Sequence, residues 1–355
     1  MDPNSSPAFP WIPVDYHKRL VSVIVPTYNR AGYLPMALDS VWAQSYRPIE
    51  LIVCDDGSTD ETNKIVEAWA KKHQSQGDFE LSYIYQENGG VCSARNHAMR
   101  HSRGEYIQFL DSDDMLYPDM VSSIVSAFDA TDREFVLVGY DKICGDCGQK
   151  IYSFTPHSES DAIKTYMTGN LSGNSISVCR RRDLIQKVGP WNETLINDAD
   201  GNYLVRTILQ SRQMATIPEQ LFAYLVRTGD RLSDNKGTRA SWLCYLERET
   251  LFCDHLEDYP DLSPAIRGAY VGRLYEWAAR ISRSGFSDIS QAFLVLASDI
   301  DSADLDRKGK ILRLAASGKG LIYGQVDKMR QIRLNLLRRS RKSRHGPPTC
   351  VTCGQ

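Results

Sequence analysis

Between residues 20 and about 142 the chain changes its hydrophobic period at regular intervals, and this limits the folds open to it. "LVSVIVP" (20–26) is an apolar, β-branched run. "AGYLPMALDSVWAQS" (31–45) has helical spacing, which puts Leu34, Leu38, Val41 and Trp42 on one face. "PIELIVCDD" (48–56) reads as a second strand ending in carboxylates. "STDETNKIVEAWAKKH" (58–73) reads as a helix opened by Ser, Thr and Asp. "ELSYIYQ" (80–86), "VCSARNHAMRHS" (91–102), "EYIQFL" (105–110), "PDMVSSIVSAF" (118–128) and "EFVLVGY" (134–140) continue the alternation. Such a pattern predicts an α/β fold: parallel strands, right-handed crossovers, and helices on both faces of the sheet.

Past 142 the alternation fades. "CGDCGQKIYSF" (144–154) reads as a turn between two strands. "SGNSISVCRRRDLIQKVGPWNETL" (172–195) reads as a strand and a short helix, and "DADGNYLVRTILQS" (198–211) as a helix opened by carboxylates. From about 237 the pattern is helical, interrupted at Gly285. The expected organisation is an N-terminal extension (1–19), an α/β domain (20–235), a helical region (236–327) and a basic tail (328–355).

The net charge of −2 gives no global attraction to nucleic acid. No apolar run reaches the ~18 residues of a membrane span. The first residues lack a basic start followed by an apolar core. Nine scattered cysteines, an odd count, suit a reducing compartment. The expected location is the cytoplasm.

In open α/β sheets ligands bind at the carboxyl ends of the strands. The unusual residues of this chain fall there. Pro26, Thr27, Tyr28 and Asn29 follow the first strand, and Asp55 and Asp56 follow the second. Tyr28 can stack on a flat ring, and a carboxylate can accept a base N–H or a ribose hydroxyl. The other reading of "DDGSTD" is a turn leading to a helix cap. In "ENGGVCSARNHAMR" (87–100), glycines including Gly90 open a helix that carries Arg95, an arrangement suited to phosphate. In "FLDSDD" (109–114), Asp111, Ser112, Asp113 and Asp114 crowd one strand end. A helix cap explains one aspartate. A divalent cation relieves the repulsion of the others, and Mg²⁺ or Mn²⁺ is usually held by one or two carboxylates plus substrate phosphates.

Together, "VSVIVPTYNR…SVWAQSY…ELIVCDDGSTD…ENGGVCSARNHA…GEYIQFLDSDD" closely resembles glycosyltransferase family 2, over roughly residues 20–235. The resemblance implies a GT-A fold: a Rossmann-like, mostly parallel sheet flanked by helices, here followed by the C-terminal helical region. It implies a nucleotide-binding half (20–115) and an acceptor-binding half (116–235). It also implies inverting transfer of a sugar, commonly from a UDP-sugar, with Mn²⁺ or Mg²⁺. The cation would sit on Asp113 and Asp111, and "DSD" would serve both metal and nucleotide. Asp56 matches the carboxylate that reads the base and Tyr28 the ring that stacks on it, with Asp55 beside them. Pro26, Thr27, Asn29, Gly90, Arg95 and Ser112 fall at nucleotide-binding positions.

Inverting transfer needs a base for the acceptor hydroxyl. The family pattern, an Asp six residues before an Arg, is met by Asp200 and Arg206, and Asp198 is the rival. Ala199 stands where the family usually has an acid. Trp191 could pack on the acceptor sugar or in the core. Arg227 occupies the position of a His that many members place on diphosphate or metal. The implied acceptor is a hydroxyl of a glycan or lipid-linked saccharide, in cell-surface polysaccharide or glycoconjugate synthesis. Two rivals stand beside this reading. One is a nucleotidyltransferase, although "VPTYNRAGYL" lacks the Gly-rich, basic first loop expected of one. The other is a nucleotide-sugar-binding protein without catalysis.

Two features remain. Cys144, Cys147, Cys350 and Cys353 form two CxxCGQ segments that could share a zinc ion. "KMRQIRLNLLRRSRKSR" (328–344) has eight basic residues and no acid, and reads as a contact with the inner membrane face or as a solvated tail.

Overall fold

The computed structural model describes residues 11–73, 77–157, 160–171, 174–227 and 237–300. Its first half is β1 (His17–Thr27), α1 (Leu34–Trp42), β2 (Ile49–Asp55), α2 (Thr62–Lys72), β3 (Phe79–Tyr85), α3 (Val91–His101) and β4 (Gly104–Phe109). These strands lie parallel in the order β3-β2-β1-β4. Thr27 pairs with Asp55 and Asp55 with Tyr85, so three strand ends lie level along one rim.

The second half is β5 (Met115–Leu116), α4 (Met120–Asp129), β6 (Phe135–Cys144), β7 (Lys150–Phe154), α5 (Ala162–Met167), β8 (Val178–Arg181), α6 (Arg182–Val188), α7 (Ala199–Gln210) and β9 (Ala215–Val226). They extend the sheet as β4-β8-β6-β9-β5, with β7 on β6. Here the pairing is mixed. β8 runs antiparallel to both β4 and β6, and β9 parallel to β6. This GT-A-like sheet is parallel where the sequence alternates and mixed where the alternation fades.

Three helices follow: α8 (Arg239–Cys253), α9 (Pro264–Arg283) and α10 (Ser287–Asp299). Gly285, between the last two, has φ +88°, a region open to glycine.

Strands buried on both faces have no polar side, as β1 shows. Val21, Val23 and Val25 join the core under α1, α2 and α4, whereas Ile24 joins the opposite core. That second core continues without a break into Trp242, Phe252, Tyr270 and Phe293 of α8–α10. The helical region therefore packs on the same sheet face as α3 and α7.

No helix among the described residues is long and apolar enough to cross a membrane. Residues 328–344 and the second CxxCGQ segment lie outside the described residues. In the first, Cys144 is buried and Cys147 exposed.

Candidate active site

The rim at the strand ends is built by short-range bonds. The backbone N–H of Asp56 donates to the Thr27 carbonyl, at 2.9 Å. The N–H of Asn29 donates to Ser58 Oγ, and Asn29 Oδ1 accepts from the N–H of Thr59. Asn29 has φ +52°, which turns the chain sharply after β1. Tyr28, beyond these bonds, is 46% exposed, a ring available for stacking.

The two carboxylates after β2 are more engaged than their sequence suggests. Asp55 is buried; its oxygens accept from the Ser58 N–H (2.8 Å) and the Tyr83 hydroxyl (2.6 Å). Asp56 is also buried and holds the glycine loop. It accepts from Gln86 Nε2 (2.7 Å) and from the N–H groups of Gly89 and Gly90 (2.8 Å each). Gly90, at φ +87°, is the N-cap of α3, and its conformation aims the loop amides at Asp56. The turn reading of "DDGSTD" describes Asp55, which closes the turn on Ser58. Asp56 is buried and ties two strand-end loops together.

Arg95 lies one turn into α3 and is 3% exposed. The sequence pointed it at a phosphate, whereas the structure places it between two carboxylates. Nη2 donates to Asp111 Oδ1 at 2.9 Å and Nη1 to Asp200 Oδ1 at 2.8 Å. Ser175 Oγ is a further partner at 3.2 Å, and the guanidinium lies 4.4 Å from the Trp191 ring centre. Burying a guanidinium requires such neutralisation. Desolvation works against its charge, but Asp200 and Asp111 outweigh it and hold Arg95 protonated.

The DSD loop divides by role. The Asp111 carboxyl is pushed up to about 6, first by desolvation and then by Asp200 and Asp113, against the pull of Arg95. Among the described residues no hydrogen bond engages the Asp113 carboxylate, while its backbone carbonyl accepts from Arg227 Nη1 at 2.8 Å. Ser112 is buried between them. Asp114 does not cap the helix at 118–128. It is buried, and Oδ1 accepts from the Leu225 N–H of β9 at 2.7 Å. Asp119 is the N-cap residue of α4; its side chain makes no bond to the helix, and Oδ1 accepts from Ser45 Oγ at 2.8 Å.

Arg227 returns from the end of β9 to this loop and lies 4.4 Å from the Tyr33 ring centre. Trp191 is core rather than surface: it is buried, stacks on Tyr203 at 4.0 Å and meets Phe109 edge-on at 5.2 Å. It supports Arg95 and offers no face to a sugar.

Asp198 and Asp200 separate cleanly. Positions two apart in a helical turn face different sides. Asp200 faces Arg95 and keeps 35% side-chain exposure at the rim. Asp198 is turned inward, and Oδ2 accepts from Arg248 Nη1 of α8 at 2.6 Å. Burial pushes its carboxyl up to about 7, against the pull of Arg248. Arg248, Ser175 and Tyr83 carried no signal in the sequence motifs, because each meets its partner only through the fold.

Hard oxygen donors at Asp111 and Asp113 suit a divalent cation. Among the described residues no three His, Cys, Asp or Glu groups form a closed cage. Two carboxylates alone leave most positions around such a cation to other oxygens.

The model for "Glycosyl transferase family 2" matches residues 22–186. An uncharacterized glycosyltransferase of Rickettsia typhi is 39% identical over 126 residues, 35% of this chain and 37% of the relative. This chain thus spans little more than a third of that relative. The putative glycosyltransferase EpsH of Bacillus subtilis is 27% identical over 304 residues, 81% of this chain and 86% of the relative. Among solved structures, Staphylococcus aureus TarS 1–349 in complex with UDP-GlcNAc superimposes with a TM-score of 0.57 at 18% identity, covering 84% of this chain and 91% of that one.

Proposed function

We infer the reaction from one premise: residues 22–186 make this chain a member of glycosyltransferase family 2. The reaction we propose is inverting transfer of a sugar from a nucleotide diphosphate sugar, with a UDP-sugar as donor. The acceptor is a hydroxyl of a glycan or lipid-linked saccharide. The observation that carries the reading is the Arg95 bridge, because it sets the candidate base Asp200 and the DSD carboxylate Asp111 on two nitrogens of one guanidinium.

In this scheme Tyr28 stacks on the base of the nucleotide and the Asn29 and Gly90 loops flank it. Asp113 and Asp111 hold a divalent cation, which when bound neutralises charge on the diphosphate. Asp200 accepts the proton of the acceptor hydroxyl. The hydroxyl oxygen forms its bond to the anomeric carbon as the bond from that carbon to the diphosphate oxygen breaks. The nucleoside diphosphate leaves with that electron pair. Arg95 holds Asp200 by a charged hydrogen bond and so aims it at the rim. Arg227, anchored on the DSD loop, adds positive charge beside the leaving group.

The test is Asp200→Asn. Donor binding is expected to stay within about threefold and transfer to fall by ~10²–10⁴-fold, the usual worth of a positioned base. Unchanged transfer would remove Asp200 from the mechanism. A wild-type protein that binds nucleotide sugars and turns none over would favour a binding protein of the same fold.

A further inference from the structure

We propose that the C-terminal helical region completes the site, because Arg248 of α8, admitted by Gly201, latches Asp198 and so fixes the angle at which α7 presents Asp200. The proposal rests on the reading of Asp200 as the base. Arg248 is a positioning residue, outside the segment that matches the family model.

The latch starts from an uncommon backbone. Asp198 is the N-cap residue of α7 with φ +56° and ψ +24°, a left-handed conformation that a non-glycine residue keeps only when its surroundings impose it. Its side chain makes no cap bond to the helix, although Asp is among the preferred capping residues. It turns instead to Arg248.

Room for this turn comes from Gly201. A Cβ there would overlap both Asp198 Oδ1 and Arg248 Nη1. Glycine is a poor choice in a helical first turn, so its presence is accounted for by the space it leaves.

Arg248 is itself held from behind. Nε and Nη2 both donate to Glu249 Oε1, at 3.1 and 2.7 Å. Glu249, 1% exposed, also accepts from the Tyr166 hydroxyl of α5 (2.9 Å) and the Tyr270 hydroxyl of α9 (2.6 Å). The guanidinium packs near Tyr245 and Trp277. A fixed donor on the helical region thus meets a carboxylate two residues from the candidate base. With Arg95 on Asp200 and Arg248 on Asp198, the first turn of α7 is clamped between two buried arginines. Small misplacements of a catalytic group cost large factors in rate.

The experiment uses the full chain with Mn²⁺ and the best donor from a panel of UDP-sugars. It measures donor binding by calorimetry, release of UDP to water as the turnover signal, and amide hydrogen exchange over residues 199–204. Arg248→Met is expected to lower kcat for UDP release by ~10–100-fold with donor Kd within about threefold. Arg248→Lys should restore part of it, since a lysine reaches one carboxylate at a time. Gly201→Ala should reproduce the methionine variant, and the double variant should be no worse than either single one. Exchange at 199–204 should rise in all of them. Should Arg248→Met fail to fold, Asp198→Asn and Gly201→Ala carry the same comparison. Unchanged kcat in these variants, multiplying effects in the double variant, or parallel loss of donor binding and kcat would overturn the latch. If the wild-type protein releases no UDP from any donor, the reaction reading fails first. The exchange measurement then decides the latch: unchanged protection at 199–204 overturns it and raised exchange sustains it.

Discussion

Arg95 is the residue on which the electrostatics of the rim turn. It faces Asp111 and Asp200 at hydrogen-bond distance and has an aromatic wall of Trp191 behind it. Removing it leaves two carboxylates without their shared cation. Arg95→Met is expected to destabilise the protein by about 2 kcal/mol, less than a fully buried pair because both acids keep solvent contact. Its chemical denaturation midpoint checks this. Arg95→Lys should recover little, because one ammonium does not reproduce a fork spanning two acids. A midpoint unchanged in Arg95→Met would contradict the bridge. At this scale the sequence identified the residue types at the rim but not their partners. "DSDD" announced crowded acids, yet nothing local told that Asp114 would leave for Leu225 of β9. Likewise, the phosphate reading of Arg95 followed from its place in the helix. Its carboxylate partners lie 16 and 105 positions away, beyond the reach of any local pattern.

Among the elements, the helices of the first half were legible because each buries a periodic face, and strands such as β1 and β2 because they are short apolar runs buried on both faces. The mixed pairing of β8 and β9 was not, since pairing direction follows from the path of the chain rather than from composition. The contact of α8 with α7 was equally hidden. Its key pair, Arg248 and Glu249, reads in sequence as two ordinary charges on a helix. In the fold Glu249 is enclosed. Burial alone would raise its carboxyl, but Arg248 and Arg273, with the Tyr270 hydrogen bond, hold it below the usual glutamate range. A lowered folded-state value gives stability that is present above the unfolded value of 4.5 and is lost as pH falls through the lowered value. Glu249→Gln is therefore expected to cost about 3 kcal/mol near neutrality and to flatten the acid limb of the stability curve below that point. Thermal melts between neutral and acid pH measure both. An acid limb as steep as in the wild-type protein would show that Glu249 is not the group responsible.

At the scale of the whole molecule, one apolar core joins the sheet face under α3 and α7 to α8–α10. A core shared by the two regions couples their unfolding, so a single transition is the expected outcome. Phe293→Ala, at a fully buried position of α10, is expected to cost about 3–5 kcal/mol and to keep one transition seen alike by fluorescence and circular dichroism. Separate transitions for the two regions would contradict the shared core. The same architecture puts the exposed Tyr28 ring, the DSD loop and Asp200 on one rim, with the helical region behind the start of α7. The account as a whole rests on that rim taking a nucleotide sugar together with a cation. Calorimetric titration of UDP-, GDP- and dTDP-sugars into the wild-type protein and Asp113→Asn, with and without Mn²⁺, tests this most directly. We expect a UDP-sugar to bind tightest, to need Mn²⁺, and to lose that dependence in Asp113→Asn. Binding indifferent to Mn²⁺ in the wild-type protein, or tightest binding of a GDP-sugar, would contradict it.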